Sequence, residues 1–182
     1  MTFLIIHGIG GHAGIHWQQW MHDELAKSGS TVIMPNLSDS DHPDRNAWLN
    51  EVAKAIGDTK PSDLIIVGHS LGVTTALDFI EQTSISIKGL VSVSGFANDY
   101  GAELNSYFLK QRAIDFEKVR RNVQQCFVLF GDNDPYVTQA ALYSVATELR
   151  VTPVVIKEGG HLNSEAGYTK FPKLLEIVES IK

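Results

Sequence analysis

Ser70, Asp134 and His161 each follow an apolar run and sit at a turn marked by glycine or proline. A serine, an imidazole and a carboxylate are the three groups that nucleophilic acyl transfer requires: an attacking hydroxyl, a base to take its proton, and an anion to orient that base. Ser70 lies in Gly68-His69-Ser70-Leu71-Gly72, directly after Leu64-Ile65-Ile66-Val67. Gly-x-Ser-x-Gly between a buried strand and a helix puts the hydroxyl on a sharp, strained turn above the sheet edge. The flanking glycines have a mechanical reason to be there, because strand and helix cross too closely for a Cβ. With 15 glycines in 182 residues a bare match is weak, and the blander reading is a tight turn with a capping serine. The apolar run before it and the helical pattern after it favour the nucleophile.

The partners follow other apolar runs. Gly131-Asp132-Asn133-Asp134-Pro135 offers two carboxylates. Asp134, beside the proline and the next helix, is the better candidate, although an aspartate there also serves as a helix cap or turn residue. Asp132 reads as turn chemistry. Glu158-Gly159-Gly160-His161 supplies the base on a glycine loop, mobile enough to reach the serine. His7-Gly8-Ile9-Gly10-Gly11 closes the first apolar run. Its backbone amide at Ile9 or Gly10, with that of Leu71, can face a tetrahedral oxyanion. A dinucleotide loop fits poorly there, because the third glycine and a later acidic strand end are missing.

Six apolar runs must position these groups: residues 2–6, 31–34, 63–67, 88–93, 125–130 and 153–156. They are rich in Val, Ile and Phe without strict alternation, as in strands buried on both faces of a parallel sheet. Helical patterns cover 16–27, 44–56, 70–81, 136–149 and 168–181, with two short helices within 102–119. The alternation predicts a doubly wound α/β domain over residues 1–182, with about six mostly parallel strands, helices on both faces and no cap domain. Ligands bind at the carboxyl ends of such strands, where the candidates fall. The irregular stretch 95–112 is the place for a small lid.

Composition bounds the function. A formal charge of −6 disfavours nucleic acid and anionic membrane as partners. One cysteine, Cys126, excludes an internal disulfide and multi-cysteine metal sites, and its apolar neighbours make it an inert core thiol. No run reaches membrane-spanning length, and the N-terminal apolar run is too short for a signal peptide, so a cytoplasmic location is expected. His12 and His16 have metal-ligand spacing if they share a helix face, but no third ligand is in view and no metal or other cofactor is expected. His69 should pack beside its strand, and His42 could rim the site. Trp17, Trp20 and Trp48 read as core anchors.

Gly68-His69-Ser70-Leu71-Gly72, Ser94-Gly95-Phe96, Asp134-Pro135-Tyr136-Val137 and Gly160-His161-Leu162-Asn163 with Phe171-Pro172 resemble one family. It is the small serine hydrolases that include retinoblastoma-binding protein 9 and the YdeN-like proteins. The helix-one tryptophans and Met34-Pro35-Asn36 fit it too. The resemblance implies a capless α/β-hydrolase fold, whose chain order Ser, Asp, His matches Ser70, Asp134, His161. It also implies oxyanion amides from Ile9 and Leu71. The Leu-x-Cys-x-Glu pattern expected for retinoblastoma binding is absent, since Cys126 sits in Gln-Gln-Cys-Phe-Val. The expected activity is hydrolysis of a small ester or other small-molecule acyl substrate, with acyl transfer or small-amide cleavage as other chemistry for the same elbow, and with Phe96, Tyr100 and Tyr136 lining a shallow pocket that prefers small or flexible acyl groups. The competing expectation is a non-catalytic ligand- or protein-binding member of the same fold.

Overall fold

Alternate residues of each central strand feed two different cores, which is why the runs show no polar face. The computed structural model describes residues 1–181, so the last residue of the expected 1–182 domain lies outside them. Six strands form one sheet: β1 Thr2–Ile6, β2 Thr31–Ile33, β3 Leu64–His69, β4 Ile87–Val93, β5 Val123–Gly131 and β6 Val154–Ile156. Their order is β2-β1-β3-β4-β5-β6, and all five pairings are parallel. Seven α-helices connect them among the described residues: α1 Gln18–Lys27, α2 Arg45–Ile56, α3 Leu71–Gln82, α4 Glu103–Leu109, α5 Phe116–Arg121, α6 Gln139–Leu149 and α7 Pro172–Ser180.

Leu4, Ile6, Leu64 and Ile66 face one way, onto Trp48, Val52, Leu77 and Leu142 of α2, α3 and α6. Phe3, Ile5, Ile65 and Val67 face the other way, onto Trp17, Met21 and Leu25 beside α1 and Leu174 and Val178 of α7. This is the period-two alternation of a strand, with both faces apolar because both are covered. Truncating a fully buried anchor such as Trp48 to alanine should cost about 3–5 kcal/mol.

Three expected helix starts move, each for a local reason. The helix expected from residue 16 begins at Gln18, because His16 holds a left-handed φ of 60°. His12 and His16 therefore lie in a turn and share no helix face. The helix expected from residue 136 begins after Thr138, whose hydroxyl caps the Ala141 amide. The last helix starts at Pro172, a residue that initiates helices and cannot sit inside one.

Register does the rest of the positioning. Ile6 pairs with Gly68, so two residues later Gly8 is brought beside Ser70. A Cβ on Gly8 would lie 2.8 Å from that of Ser70. A Cβ on Gly72 would lie 2.5 Å from the His7 carbonyl oxygen. The glycines thus let β1, β3 and α3 converge on one point at the carboxyl edge of the sheet.

Candidate active site

Ser70 occupies the junction of β3 and α3 with φ 55° and ψ −126°, a conformation that non-glycine residues rarely adopt and that clusters at functional sites. Its amide donates to the Val93 carbonyl at 2.9 Å, which fixes the turn to β4. Its side chain makes no capping hydrogen bond to the helix it precedes. The capping-serine reading therefore fails, and the hydroxyl is free in a cleft of about 520 Å³. That volume is in the ordinary range of small-molecule sites.

His161 lines the same cleft. Its Nδ1–H donates to Oδ2 of Asp134 at 2.8 Å, which leaves the Nε2 lone pair as the free nitrogen. Asp134 is buried, and its second oxygen accepts from the amides of Tyr136 at 2.9 Å and Val137 at 3.0 Å. The carboxylate thus has the turn role and the histidine role at once. Asp132 serves as turn chemistry, its Oδ1 accepting from the Glu158 amide at 2.7 Å.

Three hydrogen bonds tie the glycine loop that carries His161 to its surroundings. Asn133 Oδ1 accepts from the Gly160 amide at 2.7 Å, and Trp17 Nε1–H donates to the Leu162 carbonyl at 3.0 Å. His69 donates from Nε2 to the carbonyl of His161 itself at 3.0 Å. Burial, reinforced by the nearby His161, pushes the His69 pKa well below its ordinary 6.5, so the ring stays neutral. These ties were hidden in the sequence, where Trp17 read as a core anchor, His69 as packing beside its strand, and Asn133 carried no signal.

Ile9 lines the cleft, and neither its amide nor that of Leu71, the first residue of α3 directly after Ser70, has a backbone partner among the described residues. Gly10, the other candidate, has its amide committed to the Ser40 carbonyl at 2.7 Å. The helix dipole adds partial positive charge at Leu71. His7 holds this loop. Its Nε2 accepts from the Leu37 amide at 3.1 Å, so Nδ1 carries the hydrogen and donates to the Gly8 carbonyl at 2.8 Å. Burial lowers the His7 pKa and keeps that tautomer neutral. A buried histidine before a glycine at a strand end was the only sequence signal for it.

Tyr100 and Tyr136 line the cleft, as do residues 102–105 at the start of α4, within the expected lid stretch. Phe96 does not. It is fully buried, packs edge-on against Tyr100 at 5.1 Å, and has its carbonyl held by Thr74 Oγ1 at 2.8 Å. His42 is also not in the cleft wall, because it stacks on Tyr107 at 4.0 Å. Burial pushes the Cys126 thiol up to about 12, which makes it a poor nucleophile. Among the described residues no group of three His, Cys, Asp or Glu side chains could hold a metal ion. No helix is long and apolar enough to cross a membrane.

Residues 3–180 match a family model described as serine hydrolase. The chain belongs to the serine hydrolase family. Within solved structures it is similar to the ydeN gene product of B. subtilis, with a TM-score of 0.91 and 24% identity over 99% of this chain and 97% of that one. A YdeN-like hydrolase structure from Pectobacterium atrosepticum has a TM-score of 0.72 and 20% identity over 99% and 89%. Est1E from Butyrivibrio proteoclasticus has 0.74 and 16% over 98% and 85%. These likenesses are of fold, and the fold is the single-domain α/β-hydrolase. No curated protein matches the chain.

Proposed function

We propose that this serine hydrolase cleaves small acyl esters through Ser70, His161 and Asp134. The observation that carries the reading is Ser70: a strained residue with a free hydroxyl in the cleft that also holds an aspartate-bound histidine. Ser70 Oγ attacks the acyl carbonyl while His161 Nε2 takes its proton. Asp134 keeps the Nδ1–H tautomer and stabilises the imidazolium. The amides of Ile9 and Leu71 receive the oxyanion, a contact worth about 10²–10³ in rate for each donor. The imidazolium protonates the leaving alcohol. Water then attacks the acyl-serine with His161 again as base, releasing the acid and restoring Ser70.

The walls suit a compact acyl chain. Tyr100 and Tyr136 supply aromatic surface, and residues 102–105 close one side. Short-chain esters should turn over faster than long-chain ones. The direct kinetic test is p-nitrophenyl butyrate under pre-steady-state conditions. An acyl-enzyme gives a burst of nitrophenol, which Ser70→Ala should abolish while leaving the circular dichroism unchanged. Near-native turnover by Ser70→Ala would overturn the assignment and favour a binding role for the fold.

A further inference from the structure

His16 lines the cleft, and the proposed reaction does not use it. It sits in the turn before α1 with φ 60°, a left-handed conformation that is costly for a histidine and is held by its surroundings. The Ser164 amide donates to its Nδ1 at 3.2 Å, and the Ser164 hydroxyl lies 2.9 Å from the same nitrogen. A backbone amide can only donate, so Nδ1 is an acceptor and the hydrogen resides on Nε2. Burial, with His161 nearby, lowers the His16 pKa and keeps this neutral form. The ring packs edge-on against His69 at 5.4 Å, and Nε2 has no protein partner among the described residues. His16 is therefore a donor of fixed direction lining the cleft.

Its neighbour is a fixed acceptor. Glu165 follows Ser164 and lines the same cleft. One of its oxygens accepts from Tyr136 Oη at 2.6 Å, and the other has no partner. A donor and a carboxylate lining one cleft, the carboxylate one residue after the Ser164 that holds the donor ring, are complementary to a hydroxyl group, which accepts from one and donates to the other. The flank is the one next to His161, where the departing alcohol must come to be protonated. The charged side chains in the cleft wall are Glu103 and Glu165, with no lysine or arginine. An anionic leaving group is thereby disfavoured.

We propose that His16 and Glu165 form a hydroxyl-reading subsite for the leaving group, so that the preferred substrates are esters of hydroxylated alcohols. The inference rests on the proposed acyl-hydrolase reading. A hydroxyl that meets both partners gains a neutral and a charge-assisted hydrogen bond, whereas an alkyl group leaves both groups unpaired.

The test compares kcat/KM for ethyl butyrate and 2-hydroxyethyl butyrate, which share an acyl group and differ by one hydroxyl. The wild-type enzyme should favour the hydroxyethyl ester about tenfold or more. His16→Asn tolerates the left-handed backbone but is too short to reach, and it should bring the ratio close to one. Glu165→Ala, at an exposed position, is the second variant and should also collapse the ratio. Equal wild-type rates on the two esters, or a ratio unchanged in both variants, would overturn the subsite. Labelling by a fluorophosphonate, which carries no hydroxylated leaving group, separates the two levels. Wild-type protein that labels at Ser70 without ester discrimination refutes the subsite alone. Protein that neither labels nor hydrolyses refutes the hydrolase reading and the subsite with it.

Discussion

The Nε2–H of His69 donates to the backbone carbonyl of His161 at 3.0 Å, so the residue before the candidate nucleophile holds the candidate base. Their rings lie 4.9 Å apart. The elbow and the histidine loop are thereby fixed to each other through a buried, neutral imidazole. His69→Phe keeps an aromatic ring but removes the donor. It should lower kcat about tenfold with little change in KM, because the base is misplaced while substrate contacts persist. Steady-state kinetics on p-nitrophenyl butyrate measure this, and an unchanged kcat would show that the tie is dispensable.

Acid should destabilise the fold before the carboxylates titrate. His69 and His7 are buried, and burial lowers both pKa values in the folded state below the ordinary 6.5. As pH falls below 6.5 the unfolded chain binds protons that the folded chain does not, so stability present above that pH is lost on acidification. Each excess proton contributes a slope of about 1.4 kcal/mol per pH unit. His16 shifts the same way, so urea unfolding should show stability falling as pH drops from 7.5 to 5.5, and His69→Gln should weaken that pH dependence.

Arg45 of α2 engages partners through all three guanidinium nitrogens. It makes a bidentate pair with Asp78 of α3, both contacts at 2.8 Å, and donates to the carbonyls of Phe108, Leu109 and Arg112. Phe108 and Leu109 end α4, whose first turn walls the cleft, and Arg112 lies just beyond it. Arg45→Met leaves Asp78 buried with Arg112 as its remaining cation and frees the α4 carbonyls. A loss of about 3 kcal/mol is expected, which lowers Tm by about 10 °C in a domain of this size. Calorimetry of the variant checks the value.

Gly8 tests the register argument. A methyl group there would meet Ser70 Cβ at 2.8 Å and Oγ at 3.3 Å. Gly8→Ala should displace the nucleophile and lower kcat/KM about a hundredfold, with a stability loss of only about 1–3 kcal/mol. Activity and urea unfolding of the same preparation separate the two effects.

The strands were legible because both-face burial leaves uninterrupted apolar runs, and all six lie where those runs fall. Ser70, Asp134 and His161 were legible because each follows a strand in an order the topology brings to one edge. Helix starts were less legible, because Thr138, Pro172 and the left-handed His16 act through local geometry that hydrophobic periodicity does not encode. Phe96 was misplaced for a related reason. An aromatic after a strand end can turn toward the cleft or the core, and only the Thr74 contact to its carbonyl decides. The ties at His69, Trp17 and Asn133 join residues far apart in the chain, and such contacts leave no periodic trace. His16 offered only its spacing from His12, which lacked a third ligand, and its left-handed backbone lies outside any helix.

The central claim is that Ser70 is activated by His161. Treating the folded protein with a fluorophosphonate and mapping the adduct by mass spectrometry tests it most directly, with His161→Ala beside it. The account predicts a single adduct on Ser70 that is lost in the variant. An unlabelled Ser70 in folded wild-type protein, or labelling undiminished in His161→Ala, would contradict it.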